Sequence, residues 1–193
     1  MDKNKDIKVF HPTSLAAWRK WLQQHHASKQ AVWLVFHTKA SSKRSISWSD
    51  AVDVALSFGW IDSKKISIGD GVSHQYFCKR KEKSTWSKIN KDKVEKLIKA
   101  GLMAETGLKA IALAKQNGSW TILDEVEKLV IPADLENAFG QYPGSREYFT
   151  GLSRSVKKAM LQWIVLAVRK ETRDNRVDEI ARLAGKRERP KQF

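Results

Sequence analysis

Between Trp48 and Asn90 the apolar period of this chain changes twice, and those changes limit the folds open to it. Trp48, Ala51, Val52 and Ala55 recur at helical spacing behind Ser47, whose hydroxyl and Asp50 form a capping-box pattern. Gly59 stands where a left-handed residue ends such a helix. From Trp60 the period is two. Trp60, Asp62, Lys64, Ile66 and Ile68 would share one face of a strand, and Gly69-Asp70-Gly71 turns the chain into a partner strand over Ser73 to Lys79. On that partner Gln75 and Phe77 point one way, and Tyr76, Cys78 and Arg80 the other. Helical spacing returns at Ile89, Val94, Leu97 and Ile98, with Ser84 or Ser87 as the cap and Gly101 as the stop. A helix, a hairpin and a second helix in this order predict an α+β fold, with helices flanking the sheet.

The flanking sequence extends this unit. Ala31 to His37, AVWLVFH, is a nearly continuous apolar run of strand length and fits a strand buried on both faces. It brings the sheet to about three strands, mostly antiparallel. Leu15, Trp18 and Leu22 mark a helix before it, capped by Thr13 or Ser14, and Thr38 to Ser45 reads as a polar basic loop after it. Another helix spans about Ala104 to Gln116. Beyond Trp120 the pattern is helical throughout. It shows a short turn at Asp124 to Leu129, a helix from Leu135 to Gln141 capped by Asp134, and another over Ser145 to Gly151. A longer helix follows Ser153 or Ser155, and the last is capped by Thr172 and ended by Gly185. These elements predict an α+β domain over residues 9–120 and a C-terminal helical bundle over 121–193, with Lys186 to Phe193 as a basic tail.

Composition excludes several classes. The hydrophobic fraction of 41% with eight Trp supports a packed core rather than a disordered chain. MDKNKDIK at the start is too charged for a secretory signal, and the longest clean apolar run, Trp163 to Val168, is too short to span a bilayer. With Cys78 as the single cysteine, a soluble cytoplasmic protein is expected, and no integral-membrane segment. The five histidines are scattered without metal-ligand spacing, no Gly-rich phosphate loop follows the apolar strand, and no catalytic triad order stands out. Neither a metal nor a cofactor is expected. The net charge of +15 is regional. Lys79 to Lys99 has nine basic residues against three acidic, Arg154 to Phe193 twelve against five, and Ala100 to Ser153 four against seven. Two basic segments of this kind suit an anionic small molecule or nucleic acid, or simply a solvated helix face.

Three aromatic motifs occur in order: Phe58-Gly59-Trp60-Ile61-Asp62, then Gln75-Tyr76-Phe77-Cys78-Lys79-Arg80, then Trp86-Ser87-Lys88-Ile89-Asn90. They resemble those of the YdeI/OmpD-associated family, also called the bacteriocin-protection family. With the C-terminal helical part, the resemblance extends over nearly the whole chain. The middle motif departs from the family pattern at Tyr76, Cys78 and Lys79. The resemblance implies a stress- or bacteriocin-protection-type protein and carries over no catalytic residues.

The candidate ligand site is a Trp-lined basic face formed by Trp60, Asp62, Arg80, Lys81, Trp86, Ser87 and Asn90. Indole supplies rigid apolar area, Arg80 at a strand end suits bidentate contact to an anion, and the capped helix start near Ser87 and Asn90 presents N–H groups. Each residue also has a plainer reading. The two tryptophans suit core anchors, Asp62 a salt-bridge partner, and Cys78 a small core residue. Two alternatives stand beside the anion-binding reading. One is nucleic-acid binding through Lys79–Lys99 and the basic helix from Arg169 to Arg189. The other is an enzyme using Asp62 or Asp53 as base, with Lys64 or Arg80 stabilising charge. Binding is favoured over catalysis.

Overall fold

A computed structural model of the chain describes residues 7–38, 41 and 45–193. Of the polar loop expected over Thr38 to Ser45, residues 39, 40 and 42–44 lie outside those described. The chain divides into two compact units, the first ending at Trp120 and the second covering Thr121–Phe193.

The first unit runs β1 (Val9–Phe10), α1 (Leu15–His25), β2 (Ala31–His37), α2 (Trp48–Ser57), β3 (Trp60–Gly69), β4 (Val72–Lys79), α3 (Lys88–Lys99) and α4 (Glu105–Gln116). Its sheet has four strands in the order β1-β2-β4-β3, not three. The added strand, β1, pairs parallel to β2 over only two residues, Val9 with Trp33 and Phe10 with Leu34, too few to leave a period in the sequence. The other pairings are antiparallel. Between β3 and β4, Asp70 and Gly71 both take positive φ (47° and 70°), as a two-residue hairpin turn with the twist of its strands requires.

Local signals select the helix starts. Ser14 Oγ accepts from Ala17 N (3.1 Å), Ser47 Oγ from Asp50 N (3.1 Å) and Ser87 Oγ from Asn90 N (3.3 Å). Gly59 has φ +71°, the left-handed conformation that lets the chain leave α2 and enter β3 at once.

The expected period-two face of β3 is broken by a bulge. Asp62 pairs with Phe77 and Lys65 with Gln75, so Ser63 and Lys64 together oppose Tyr76. Because side chains alternate strictly, one inserted residue reverses every position after it. Asp62 therefore shares a face with Lys65, not with Lys64. That face carries Phe77, whose ring meets Trp18 of α1 edge-on at 5.6 Å. Lys64 emerges on the opposite face, with Nζ 5.3 Å from the Trp33 ring and 5.5 Å from that of Tyr76.

Trp18, Leu22, Val32, Leu34, Trp60, Phe77, Trp86, Val94 and Ile111 form the core of the first unit. Trp18 donates from Nε1 to the Ala51 carbonyl (3.0 Å), tying α1 to α2.

The second unit is all helical: α5 (Asp124–Glu127), α6 (Ala133–Phe139), α7 (Ser145–Gly151), α8 (Arg154–Val165) and α9 (Lys170–Gly185). Two expected caps are corrected. Proline at position 132 precedes α6, which places Asp134 inside the helix, where its carboxylate accepts from Arg173 Nε (2.6 Å) and Nη2 (3.1 Å). The last helix, α9, starts at Lys170, ahead of Thr172. The basic tail is anchored rather than free: Phe193 packs edge-on against Trp163 at 5.7 Å, inside a core of Leu135, Phe149, Leu161, Ile164 and Ile180.

Candidate functional site

The seven residues expected to form one face divide among five environments. Trp60 and Trp86 are each 1% exposed and belong to the core, so neither lines an open surface. Trp60 meets Trp21 edge-on at 5.9 Å, and Trp86 packs against Trp120 at 5.0 Å. Ser87 is occupied as the cap of α3, with Asn90 as the residue capped. Lys81 lies on the exposed loop after β4.

Arg80 forms a closed nest. Its guanidinium stacks on Trp86 at 3.8 Å, and Nη1 donates to Ser84 Oγ (3.0 Å) and the Thr85 carbonyl (2.8 Å), folding the loop around it. Neither Nε nor Nη2 meets an acceptor, and both are inaccessible; the indole N–H groups of Trp60 and Trp86 are orphaned in the same way. No carboxylate of the described residues lies within ion-pair distance of Arg80. Burial pulls the guanidinium down to about 10, against the opposing effects of Asp62 and Cys78.

Asp62 opens into a different place. A groove of about 350 Å³ is lined by Phe36, Trp48, Asp62, Ser63, Lys65 and Gln75. Trp48 Nε1 donates to Asp62 Oδ2 (2.9 Å), and Gln75 Nε2 donates to the same oxygen (3.2 Å) and to the Ser63 carbonyl (3.0 Å). Gln75 is only 4% exposed, so the second donor is held rigidly from below. Trp48 is 55% exposed although it begins the apolar stripe of α2. Its ring is hydrogen-bonded to Asp62 and forms an open wall of the groove. A second hollow of about 540 Å³ shares Phe36 and Trp48 and adds His37, Thr38, Ser45 and Ser47. Reasoning from the sequence assigned Trp48 to packing, placed Gln75 on a strand without a role and missed Lys65. Only the bulge puts Lys65 beside Asp62.

The remaining candidates have partners or closed surroundings. Asp53 is ion-paired with Lys93, which also donates to Ser49. The Cys78 thiol is raised above its ordinary value because burial outweighs the lowering by Lys81 and Arg80. Lys64, expected to stabilise charge beside Asp62, is on the opposite face of the sheet. Among the described residues no cluster could hold a metal ion, and no helix is long and apolar enough to cross a membrane.

Residues 10–110, more than half of the chain, match the family described as Domain of unknown function (DUF8412). The chain belongs to that family. Both the groove and the nest lie within the DUF8412 match. Residues 128–186 match a second family, Bacteriocin-protection, YdeI or OmpD-Associated. The resemblance read over nearly the whole chain therefore narrows to the helical second unit, while the three aromatic motifs fall in the DUF8412 part. The structure supplies a physical reason why such motifs mislead: Gly59, Trp60, Trp86 and Ser87 are a helix stop, two core anchors and a cap, which serve any fold of this type. No curated protein and no solved structure matches the chain.

Proposed function

We propose that the first unit is a small-molecule binding module whose ligand lies against Trp48 and is oriented by Asp62. The observation that carries this reading is the pair of donors, Trp48 Nε1 and Gln75 Nε2, converging on one carboxylate oxygen inside an open groove. They hold the carboxylate in one orientation before any ligand arrives, and such preorganisation reduces the ordering cost of binding. The groove volume falls within the roughly 300–1,000 Å³ usual for small-molecule sites. The test is saturation-transfer NMR of the full chain with a library of neutral, cationic and anionic compounds. Ligands that bind the native protein and are lost on Trp48→Ala support the site; a library without a single Trp48-dependent ligand overturns it.

A second reading is an anionic ligand held by Arg80. It is favoured by the orphaned Nε and Nη2, which form one edge of the guanidinium and match the two oxygens of a carboxylate or phosphate. Entry requires the loop from Lys81 to Thr85 to move, and the bonds from Nη1 and from Asn117 Nδ2 to the Glu82 carbonyl (2.9 Å) oppose this. The nucleic-acid reading loses ground because many of its cations already have partners: Lys93 with Asp53, Lys170 with Asp174, Arg173 with Asp134, and Arg176 over Trp163. A protective role against bacteriocins draws its support from the match over residues 128–186. A chain of net charge +15 would repel a cationic peptide, which makes direct sequestration the wrong mechanism for such a role.

A further inference from the structure

From the lining of the groove we infer that its ligand is a neutral sugar, a pyranose unit alone or within a glycan. This inference depends on the groove being the binding site. The first argument is charge. Asp62 and Lys65 share the lining and leave it with no net charge, so an ammonium ligand meets Lys65 and a phosphate or carboxylate meets Asp62.

The second is hydrogen-bond inventory. Asp62 Oδ2 already accepts two protein donors, which leaves Oδ1 as the oxygen without a partner among the described residues. Gln75 uses Nε2 on Asp62 and Ser63, so its Oε1 is likewise a remaining acceptor. Lys65 Nζ adds a donor. Two acceptors and one donor around a small space match vicinal hydroxyls, each of which both donates and accepts. A nucleobase edge donating two parallel N–H groups needs both oxygens of a carboxylate, and Asp62 offers one.

The third is shape. The Trp48 ring, hydrogen-bonded through its N–H and 55% exposed, provides a flat surface in a groove that Phe36 also lines. The C–H groups of a pyranose carry partial positive charge and suit the negative face of an indole. The neighbouring hollow beyond Trp48, edged by the hydroxyls of Thr38, Ser45 and Ser47, offers space for a further sugar unit.

The test is isothermal titration of the full chain with neutral mono- and oligosaccharides chosen from a glycan array, repeated with Trp48→Ala, Asp62→Asn and the exposed-residue variant Lys65→Ala. The expected result is a neutral glycan that binds the native protein and is weakened about tenfold or more by Trp48→Ala and by Asp62→Asn. Lys65→Ala should weaken it less. Should Trp48→Ala lower folding stability, Lys65→Ala and Asp62→Asn still report on the groove. Trp48-dependent binding of charged compounds with no neutral glycan overturns the sugar assignment and leaves the groove as a site. The absence of any Trp48-dependent ligand overturns both.

Discussion

Asp62 lies on one strand of a hairpin and Arg80 directly follows the other, yet their surroundings are opposite. Asp62 has two donors on one oxygen and faces an open groove; Arg80 is enclosed, with two of its nitrogens lacking any acceptor. A charge paired on one side and open on the other is oriented for an incoming group. An enclosed charge with orphaned donors is a stability liability unless a ligand or ordered water completes it. The tryptophans follow the same division. Trp60 and Trp86 wall the closed region, and Trp48 stands exposed at the open one.

The largest expected difference is therefore between tryptophans. Trp60→Ala or Trp86→Ala should cost about 3–5 kcal/mol in urea unfolding, as large buried aromatics do. Trp48→Ala should cost about 1 kcal/mol or less while abolishing groove binding. Equal losses at all three positions would erase the distinction between wall and scaffold.

A smaller effect sharpens the Arg80 side. Arg80→Met keeps an apolar stem over Trp86 and removes the buried charge, so stability should change by no more than about 1–2 kcal/mol. If Arg80 holds an anion, added phosphate or carboxylate raises the melting temperature of the native protein and not of this variant. Identical anion responses in the two proteins would reduce Arg80 to a loop fastener.

The smallest concerns Cys78, on the sheet face opposite Asp62. Its raised pKa means that the native state favours the protonated thiol. The resulting stability is fully present below the unfolded-state pKa and is lost as pH rises through the higher native value. Alkylation of the native protein should be slower than that of the urea-unfolded chain, with its rate rising at higher pH. A native thiol that reacts faster at neutral pH would show that Lys81 and Arg80, not burial, dominate there.

Much of the first unit was legible from short-range patterns. The residues of β2, the cap at Ser47, the stop at Gly59 and the Asp70-Gly71 turn each depend on a few consecutive residues, and the structure has them where the sequence put them; of the two caps offered for α3, Ser84 and Ser87, it uses Ser87. The candidate site was less legible. Period two continued through Ser63 and Lys64 and paired Asp62 with the wrong lysine, because a bulge is visible only against the partner strand. Trp48 was read as packing, and Trp60 and Trp86 were left between core anchors and site lining, since one sequence does not record which end of an apolar stripe the neighbouring elements reach.

What the amino-acid order settled, then, was most of the elements and, in the first unit, several of their ends, which follow from backbone preferences and local hydrogen bonds acting over three or four residues. Tertiary structure alone decided which charges are open and which are enclosed. Strand register sent Lys65 and Lys64 to opposite faces, and helix packing covered two tryptophans and left Trp48 bare; both are sums over contacts between residues far apart in the chain.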